Sequence, residues 1–578
     1  MPTDAALMRE RAEALDAILN SPARLKLIVA GPGTGKTHTF QKLMDGNTER
    51  CLALTFLVSL VLELTDSLGD DHDVYSFHGF AKKLLHSMTV DGVTRSVDYY
   101  PPIDQIYAKD ISITDRPTDT ASISEALVKL EDDGVVLPGA LRSGSYYNSV
   151  GHSDSVYRVF RALEAQPSGV PRFPQIVVDE YQDFNLLEVS LIKLLATANP
   201  TLIVGDDDQA LYGFKHASAL FIRDLSVDPA YTRFDLPFCS RCTPVLIKAV
   251  HRVVERAQAA GLLQGRITKR YECFLPDKRD EGNLYPTIVH ARCTVQNNRC
   301  PFIGKYVEQR IRALPPDEVA ESRAKGYPSV LVIGPKEFAR PTYRYLSEHL
   351  PSVEYRIGSS MTVAPLDGFR RLMRNRASRL GWRLLLELDS PPGWEEWVRD
   401  ALIEGAEIAD LLDADYKTTK LEIVEILMRI AGGEAVGDDD LRLVEAATDL
   451  SSSALHEALG RSVDDPDEDE DEHASAEQLG DDAQAGPTVL VTSLLGAKGL
   501  QAGHVFVVGV TDLHFPRSNA HPTDDEVCQL IVALTRARKS CTLVSVGRFG
   551  NELLAPSVFT SWLAPLITPV RVDSSSFR

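Results

Sequence analysis

Residues 30–37, Ala-Gly-Pro-Gly-Thr-Gly-Lys-Thr, combine three glycines, a lysine and a hydroxyl at the spacing that cradles a polyphosphate. Gly31, Gly33 and Gly35 let backbone N–H groups approach an anion, Lys36 can reach the β- and γ-oxygens of a nucleoside triphosphate, and the Thr37 hydroxyl can ligate Mg²⁺. Thr34 and His38 complete the candidate nucleotide-binding set. Downstream, Ile176-Val177-Val178-Asp179-Glu180 is an apolar run closed by paired carboxylates. In that position Asp179 suits a second magnesium contact and Glu180 a base that orients water. The candidate cofactors are ATP and Mg²⁺.

Such a loop works only between a strand and a helix, and its surroundings read that way. Leu25–Ala30 is predicted as a strand and Phe40–Met44 as the beginning of a helix. Further strands are expected at Cys51–Phe56, Gln175–Asp179 and Thr201–Gly205, and a second set at Ser329–Ile333, Thr488–Ser493, His504–Gly509 and Thr542–Val546. The alternation predicts an α/β fold with two cores, residues 1–235 and 236–578. Residues 88–168 are polar, rich in Ser, Asp and Tyr and weakly patterned, whereas 358–486 are helical in pattern; both read as insertions. No internal repeat recurs at a fixed period.

The 44% hydrophobic content of 578 residues is enough for several cores. No apolar run reaches the roughly 18 residues of a membrane span, and the N-terminus lacks the basic start of a signal peptide, so the chain reads as soluble and cytoplasmic. Eight scattered cysteines fit a reducing compartment. Cys239 and Cys242 form a C-x-x-C, but Cys293 and Cys300 have the wrong spacing to complete a zinc site. A net charge of −21 argues against a polyanion partner. Eleven carboxylates and no Lys or Arg lie between Asp464 and Asp482, however, so just over half the excess sits in one segment. That tract reads as a solvated linker, either a spacer or a competitor for a nucleic-acid groove. Arg370, Arg371, Arg374, Arg376, Arg379 and Arg383 cluster on one predicted helix, as a solvated basic face or a duplex contact.

The phosphate loop and carboxylates, with further motifs in the same order, resemble those of UvrD/Rep-like superfamily 1A DNA helicases. Asp179-Glu180-Tyr181-Gln182-Asp183 fits that family's Asp-Glu-x-Gln-Asp, and Gly205 to Lys215 resembles its motif III. By this resemblance Gln209 senses the γ-phosphate, while Tyr212 and Phe214 face the bases of single-stranded DNA. Leu54-Thr55-Phe56 resembles motif Ia, which makes Phe56 a base-stacking residue and leaves Leu57-Val58 where a polar pair is usual. Ser76-Phe77-His78-Gly79-Phe80 resembles motif Ib and implies a DNA-backbone contact from His78. Cys239-Ser240-Arg241-Cys242 stands at motif IV and keeps only the arginine. Motif V is similar at Lys498-Gly499-Leu500, placing Gly499 at the nucleotide, with Leu495 and Gln501 replacing the usual His and Glu. Ala533-Leu534-Thr535-Arg536-Ala537 matches motif VI and makes Arg536 an arginine finger. Arg11 aligns with the family's adenine-reading glutamine and Ser240 with its adenine-stacking tyrosine, which implies weak base selection.

The resemblance covers both cores and hardly touches the insertions. It implies two RecA-like P-loop cores with parallel sheets, each carrying an inserted, mainly helical subdomain. ATP then lies in the cleft, with Glu180 and Gln209 on one side and Arg241 and Arg536 on the other, and closure couples hydrolysis to movement. The implied activity is ATP-dependent 3′-to-5′ translocation or unwinding on single-stranded or partly duplex DNA. Within the family the chain is similar to helicase subunits of Gabija-type antiphage defence systems, which implies a partner nuclease; a stand-alone repair helicase is the alternative. A reading of another class is a DNA-sensing ATPase switch that activates the nuclease without processive unwinding. An RNA motor is a third.

Overall fold

The computed structural model describes residues 3–577 apart from 57–60, 63, 66–67, 70, 89, 91, 357–362 and 461–485. Leu57, Val58 and the acidic tract 464–482 therefore lie outside the described residues.

Two all-parallel sheets form the framework. The first contains β1 (Leu25–Val29), β2 (Leu52–Thr55), β3 (Asp73–Ser76), β4 (Ile176–Val178), β5 (Thr201–Gly205) and β6 (Thr232–Asp235), in the order β3-β2-β4-β5-β1-β6. Its four inner strands are nearly continuous apolar runs, as a sheet covered on both faces requires. Val29 pairs with Gly205, and Val178 with Ile203. The loop after β1, the carboxylates after β4 and Asp206–Gln209 after β5 thus emerge side by side from one end of the sheet.

The second sheet contains β7 (Ile288–Cys293), β8 (Val330–Ile333), β9 (Val353–Arg356), β10 (Val489–Thr492), β11 (Ala502–Val508), β12 (Ala537–Val546) and β13 (Ile567–Val572), in the order β9-β10-β8-β11-β12-β7-β13. Five strands escape the sequence pattern. Four of them, β3, β6, β9 and β13, are sheet edges with half-exposed polar side chains, and β7 interleaves His290 and Arg292 with its apolar residues.

The first insertion, weakly patterned in sequence, is helical: Ile103–Thr114, Thr120–Val128, Val136–Tyr147 and His152–Ala165. Part of its polarity is internal. Buried Arg158 donates from Nε to Asp154 Oδ1 at 2.8 Å, and Tyr107 Oη donates to Asp154 Oδ2 at 2.9 Å. The second insertion is a run of helices from Pro365 to Gly460. It departs from the second sheet between β9 and β10, yet it packs elsewhere. One continuous apolar core joins β1, β2 and β4 to both insertions, while the second sheet is packed in two separate clusters.

The arginine cluster explains this docking and corrects both expectations for three of its residues. The six residues span two helices, Pro365–Arg374 and Arg379–Asp389, rather than one. Arg383 is fully buried and donates from Nε to Asp110 Oδ1 of the first insertion at 2.8 Å. Arg371 pairs with Asp98, and Arg379 donates to the Tyr146 carbonyl oxygen at 2.9 Å while pairing with Glu407. Arg371, Arg379 and Arg383 hold one insertion to the other and are neither a solvated face nor open to a duplex, whereas Arg374 and Arg376 are exposed and Arg376 pairs with Glu425 of its own insertion. Among the described residues no helix is long and apolar enough to cross a membrane.

Candidate nucleotide-binding site

The phosphate loop is shaped by two left-handed glycines, Gly33 at φ 70° and Gly35 at φ 93°. Thr34 Oγ1 donates to the Gly31 carbonyl at 2.9 Å and closes the turn. The following helix, Lys36–Met44, starts four residues before Phe40, so Lys36, Thr37 and exposed His38 all belong to its first turn. Gly35 caps it without a side-chain bond, leaving the dipole and first-turn N–H groups for an anion. The loop has no room for larger residues at two positions. A Cβ at Gly33 would stand 2.4 Å from Arg241 Cβ, and one at Gly31 would stand 2.5 Å from Tyr271 Cε2.

After β4, Asp179 Oδ1 accepts the Glu180 N–H at 2.9 Å and holds Glu180 at φ 52°, a left-handed conformation that costs a non-glycine residue about 1–2 kcal/mol. Lys36 Nζ lies 3.0 Å from Glu180 Oε1 and 3.8 Å from Asp179 Oδ1. Burial would push the Lys36 ammonium down, but Glu180 and Asp179 outweigh it and hold the pKa well above the usual range. Conversely, burial opposes the Glu180 carboxylate, and Lys36 and Lys498 overcome that penalty and keep it ionised. Asp179 shifts upward, driven first by burial. Lys36 thus occupies one oxygen of the Glu180 carboxylate.

The opposite wall comes from the second core. The Ser240 N–H donates to the Gly33 carbonyl at 3.0 Å, which seats Arg241 beside the loop. Arg536, 3% exposed, donates from Nη2 to Gln209 Oε1 at 3.2 Å and from Nη1 to the Leu500 carbonyl at 3.2 Å. Burial, and then the like charge of Arg241, lower its pKa. A buried guanidinium whose hydrogen bonds go to neutral acceptors, with a second guanidinium nearby, is an environment made for an anion. Gly499, at φ 77°, forms the turn between Lys498 and Leu500. Lys498 reaches across to pair with Asp183, lies 3.6 Å from Glu180 Oε2 and donates to the Gln209 carbonyl at 3.0 Å.

The four candidate DNA-binding residues divide. Phe214 is 59% exposed, and its open ring can stack. Tyr212 is 3% exposed, its ring centroid 4.9 Å from Phe56 and 6.0 Å from Phe214, so the expectation that it faces bases is corrected: it is an aromatic spacer beneath Phe214. Phe56 is half-buried between Tyr212 and Phe184. His78 Nε2 sits 3.4 Å from Glu188 Oε1, with the His152 ring 5.2 Å away.

Several residues of the site carry no role in the motif reading. Gln182, fully buried, donates to Glu180 Oε2 at 2.5 Å and accepts the Asp206 N–H at 2.9 Å, joining the segments after β4 and β5. Its place in Asp-Glu-x-Gln-Asp was the available signal. Tyr271 covers Gly31 and donates to the Pro32 carbonyl at 2.9 Å, and nothing in the local sequence announces that contact.

Residues 141–230 match the family described as UvrD/REP helicase N-terminal domain. The chain is 26% identical over 276 residues to the ATP-dependent DNA helicase PcrA of Staphylococcus aureus, covering 40% of this chain and 38% of that protein. It is 27% identical over 242 residues to a probable DNA helicase of Mycoplasma pneumoniae, covering 33% and 46%. With the ATP-dependent DNA helicase UvrD2 of Mycobacterium bovis it is 25% identical over 506 residues, covering 82% of this chain and 62% of the relative. The chain thus spans less than two thirds of the length of each. The chain is thus similar to UvrD-like superfamily 1 DNA helicases, and its two parallel sheets fit RecA-like cores.

Proposed function

We propose that this protein is an ATP-hydrolysing DNA motor that moves 3′ to 5′ along single-stranded DNA. The observation that carries the reading is that Lys36 lies 3.0 Å from Glu180, while Arg241 packs on Gly33 of the same loop and Arg536 bonds Gln209 after β5. The loop glycines, Lys36 and Thr37 would hold the triphosphate, and Thr37 with Asp179 the magnesium. Magnesium ATP supplies the phosphoryl group whose transfer to water drives the motor. Glu180, freed when Lys36 turns to phosphate, accepts a proton from water. Arg241 and Arg536 stabilise developing charge only when the cleft is closed, a contribution of up to 10³–10⁵ in rate for such arginines. Hydrolysis and core movement thereby become one event.

The test is hydrolysis with and without single-stranded DNA, followed by displacement of a 3′-tailed duplex. Glu180→Gln is expected to bind nucleotide normally and lose roughly 10²–10⁴ in turnover; near-normal turnover would refute the assignment. The DNA-sensing switch is supported by one observation, the docking of the second insertion on the first insertion. DNA-stimulated hydrolysis without strand displacement would favour it, with a Gabija-type partner nuclease as its receiver.

A further inference from the structure

Asp206, Asp207 and Asp208 follow β5 with their carboxylate oxygens within 4.8 Å of one another, all buried. Such a cluster would suit a metal ion, but a lysine ammonium takes that place. Lys269 Nζ pairs with Asp206 and lies 2.9 Å from Asp207 Oδ1 and 2.8 Å from Asp208 Oδ2, its side chain 3% exposed. Asp208 is also gripped by both Nε and Nη2 of Arg266 at 2.7 Å, and Asp207 by Arg223 Nε at 3.1 Å and the Ile267 N–H at 2.8 Å. Three cations balance three carboxylates, and Lys269 is the one on Asp206.

Asp206 matters because of its next contact. Its Oδ2 accepts the Gln209 amide N–H at 2.7 Å, and Gln209 Oε1 then accepts Arg536 Nη2 at 3.2 Å. An amide can present either end. An ionised carboxylate only accepts, so it turns the NH₂ towards itself and the oxygen towards Arg536. A protonated Asp206 would be a weaker acceptor and could donate only to the amide oxygen that Arg536, a donor alone, already holds, so the Gln209 amide would loosen. Burial and the neighbouring aspartates favour that protonated form, and Lys269 opposes them. Two residues beyond Lys269, Tyr271 rests on the phosphate loop, so the same segment touches both nucleotide-facing elements.

We infer that Lys269 is a positioning residue for hydrolysis, which anchors the Asp206 carboxylate by an ion pair and so fixes the Gln209 amide with its oxygen towards Arg536. The inference rests on the proposed role of Gln209 at the nucleotide. Its test compares wild type, Lys269→Gln, Lys269→Arg, Gln209→Ala and the Lys269→Gln/Gln209→Ala double variant. Steady-state ATP hydrolysis with saturating single-stranded DNA is measured, together with the Kd of a fluorescent ATP analogue. Lys269→Gln should lower kcat tenfold or more with Kd within threefold of wild type, Lys269→Arg should recover most of the loss, and the double variant should be no slower than Gln209→Ala alone. Should Lys269→Gln fail to fold, Asp206→Asn breaks the same link from the other end and should show the same dependence on Gln209. A Lys269→Gln or Asp206→Asn protein with kcat within twofold of wild type, or losses that multiply with Gln209→Ala, would overturn the inference while leaving an impaired Gln209→Ala to support the functional reading. Unimpaired Gln209→Ala would overturn both.

Discussion

Replacing Arg383 with methionine tests the docking of the two insertions. The pair is enclosed: Arg383 and Asp110 side chains are both 0% exposed, and the guanidinium carbon lies 5.1 Å from the centre of the Trp394 ring. Methionine roughly fills the volume, so the main effect is an unpaired carboxylate. Burial already pushes Asp110 up, and Arg383 is the first group opposing it. Breaking a buried pair by removing one partner costs about 3–5 kcal/mol. In a cooperative unit of 150–250 residues, 1 kcal/mol moves Tm by about 2–4 °C, so the insertion transition should fall by roughly 6–20 °C. Scanning calorimetry reads the shift, and hydrogen exchange should rise at Ile103–Thr114 and Arg379–Asp389 together. The sign with pH follows from the upward shift of Asp110: the defect is greatest at high pH and shrinks as the orphaned carboxylate takes up a proton. Asp110→Leu combined with Arg383→Met removes both charges and should recover most of the loss. A single variant melting within about 2 °C of wild type, or a double variant no better than the single, would refute the interface.

Phe214→Ala should weaken single-stranded DNA binding by about 1–3 kcal/mol in a fluorescence titration without changing Tm. Tyr212→Ala should lower Tm, as loss of a buried aromatic costs about 3–5 kcal/mol; the reverse pattern would reinstate Tyr212 as the base-stacking residue. Burial, reinforced by Asp154, pushes Asp104 up to about 7, so its contribution to stability is lost as pH rises through that value. Asp104→Asn should therefore raise Tm most at pH 8, with the gain shrinking towards pH 5, and a uniform gain would refute the shift. Arg11, whose guanidinium lies 4.6 Å over Phe274, offers donors alone and cannot read both donor and acceptor on the adenine edge as an amide would. Hydrolysis should then favour ATP over GTP by less than about a hundredfold in kcat/KM, or about 2.7 kcal/mol.

What the sequence discloses follows how local the physics is. The inner strands were legible because burial on both faces forces continuous apolar runs such as Leu27–Val29 and Val177–Val178. Edge strands such as β13, with Pro569 and exposed side chains, obey no such demand. The phosphate loop and Asp179–Glu180 were readable because their chemistry is written in contiguous residues. Lys269 was not: its three partners lie about sixty positions upstream, and only the fold supplies the distance. The arginine run misled for the same reason, since charge on a helix reads as solvated until the opposing Asp98 and Asp110 are in place. Tyr212 and Phe214 have the same residue character and differ only in which side of an aromatic stack they occupy.

The departure of the second insertion from its own sheet sets a limit on stroke. Because it rides with the first core, every relative movement of the second core must be taken up in the two strands of chain that leave β9 and return to β10. From Arg356 to Pro365 the covalent reach is about 30 Å at full extension, against about 100 Å from Gly460 to Val489. The Arg356–Pro365 connection is the shorter of the two and so sets the tighter bound on that movement.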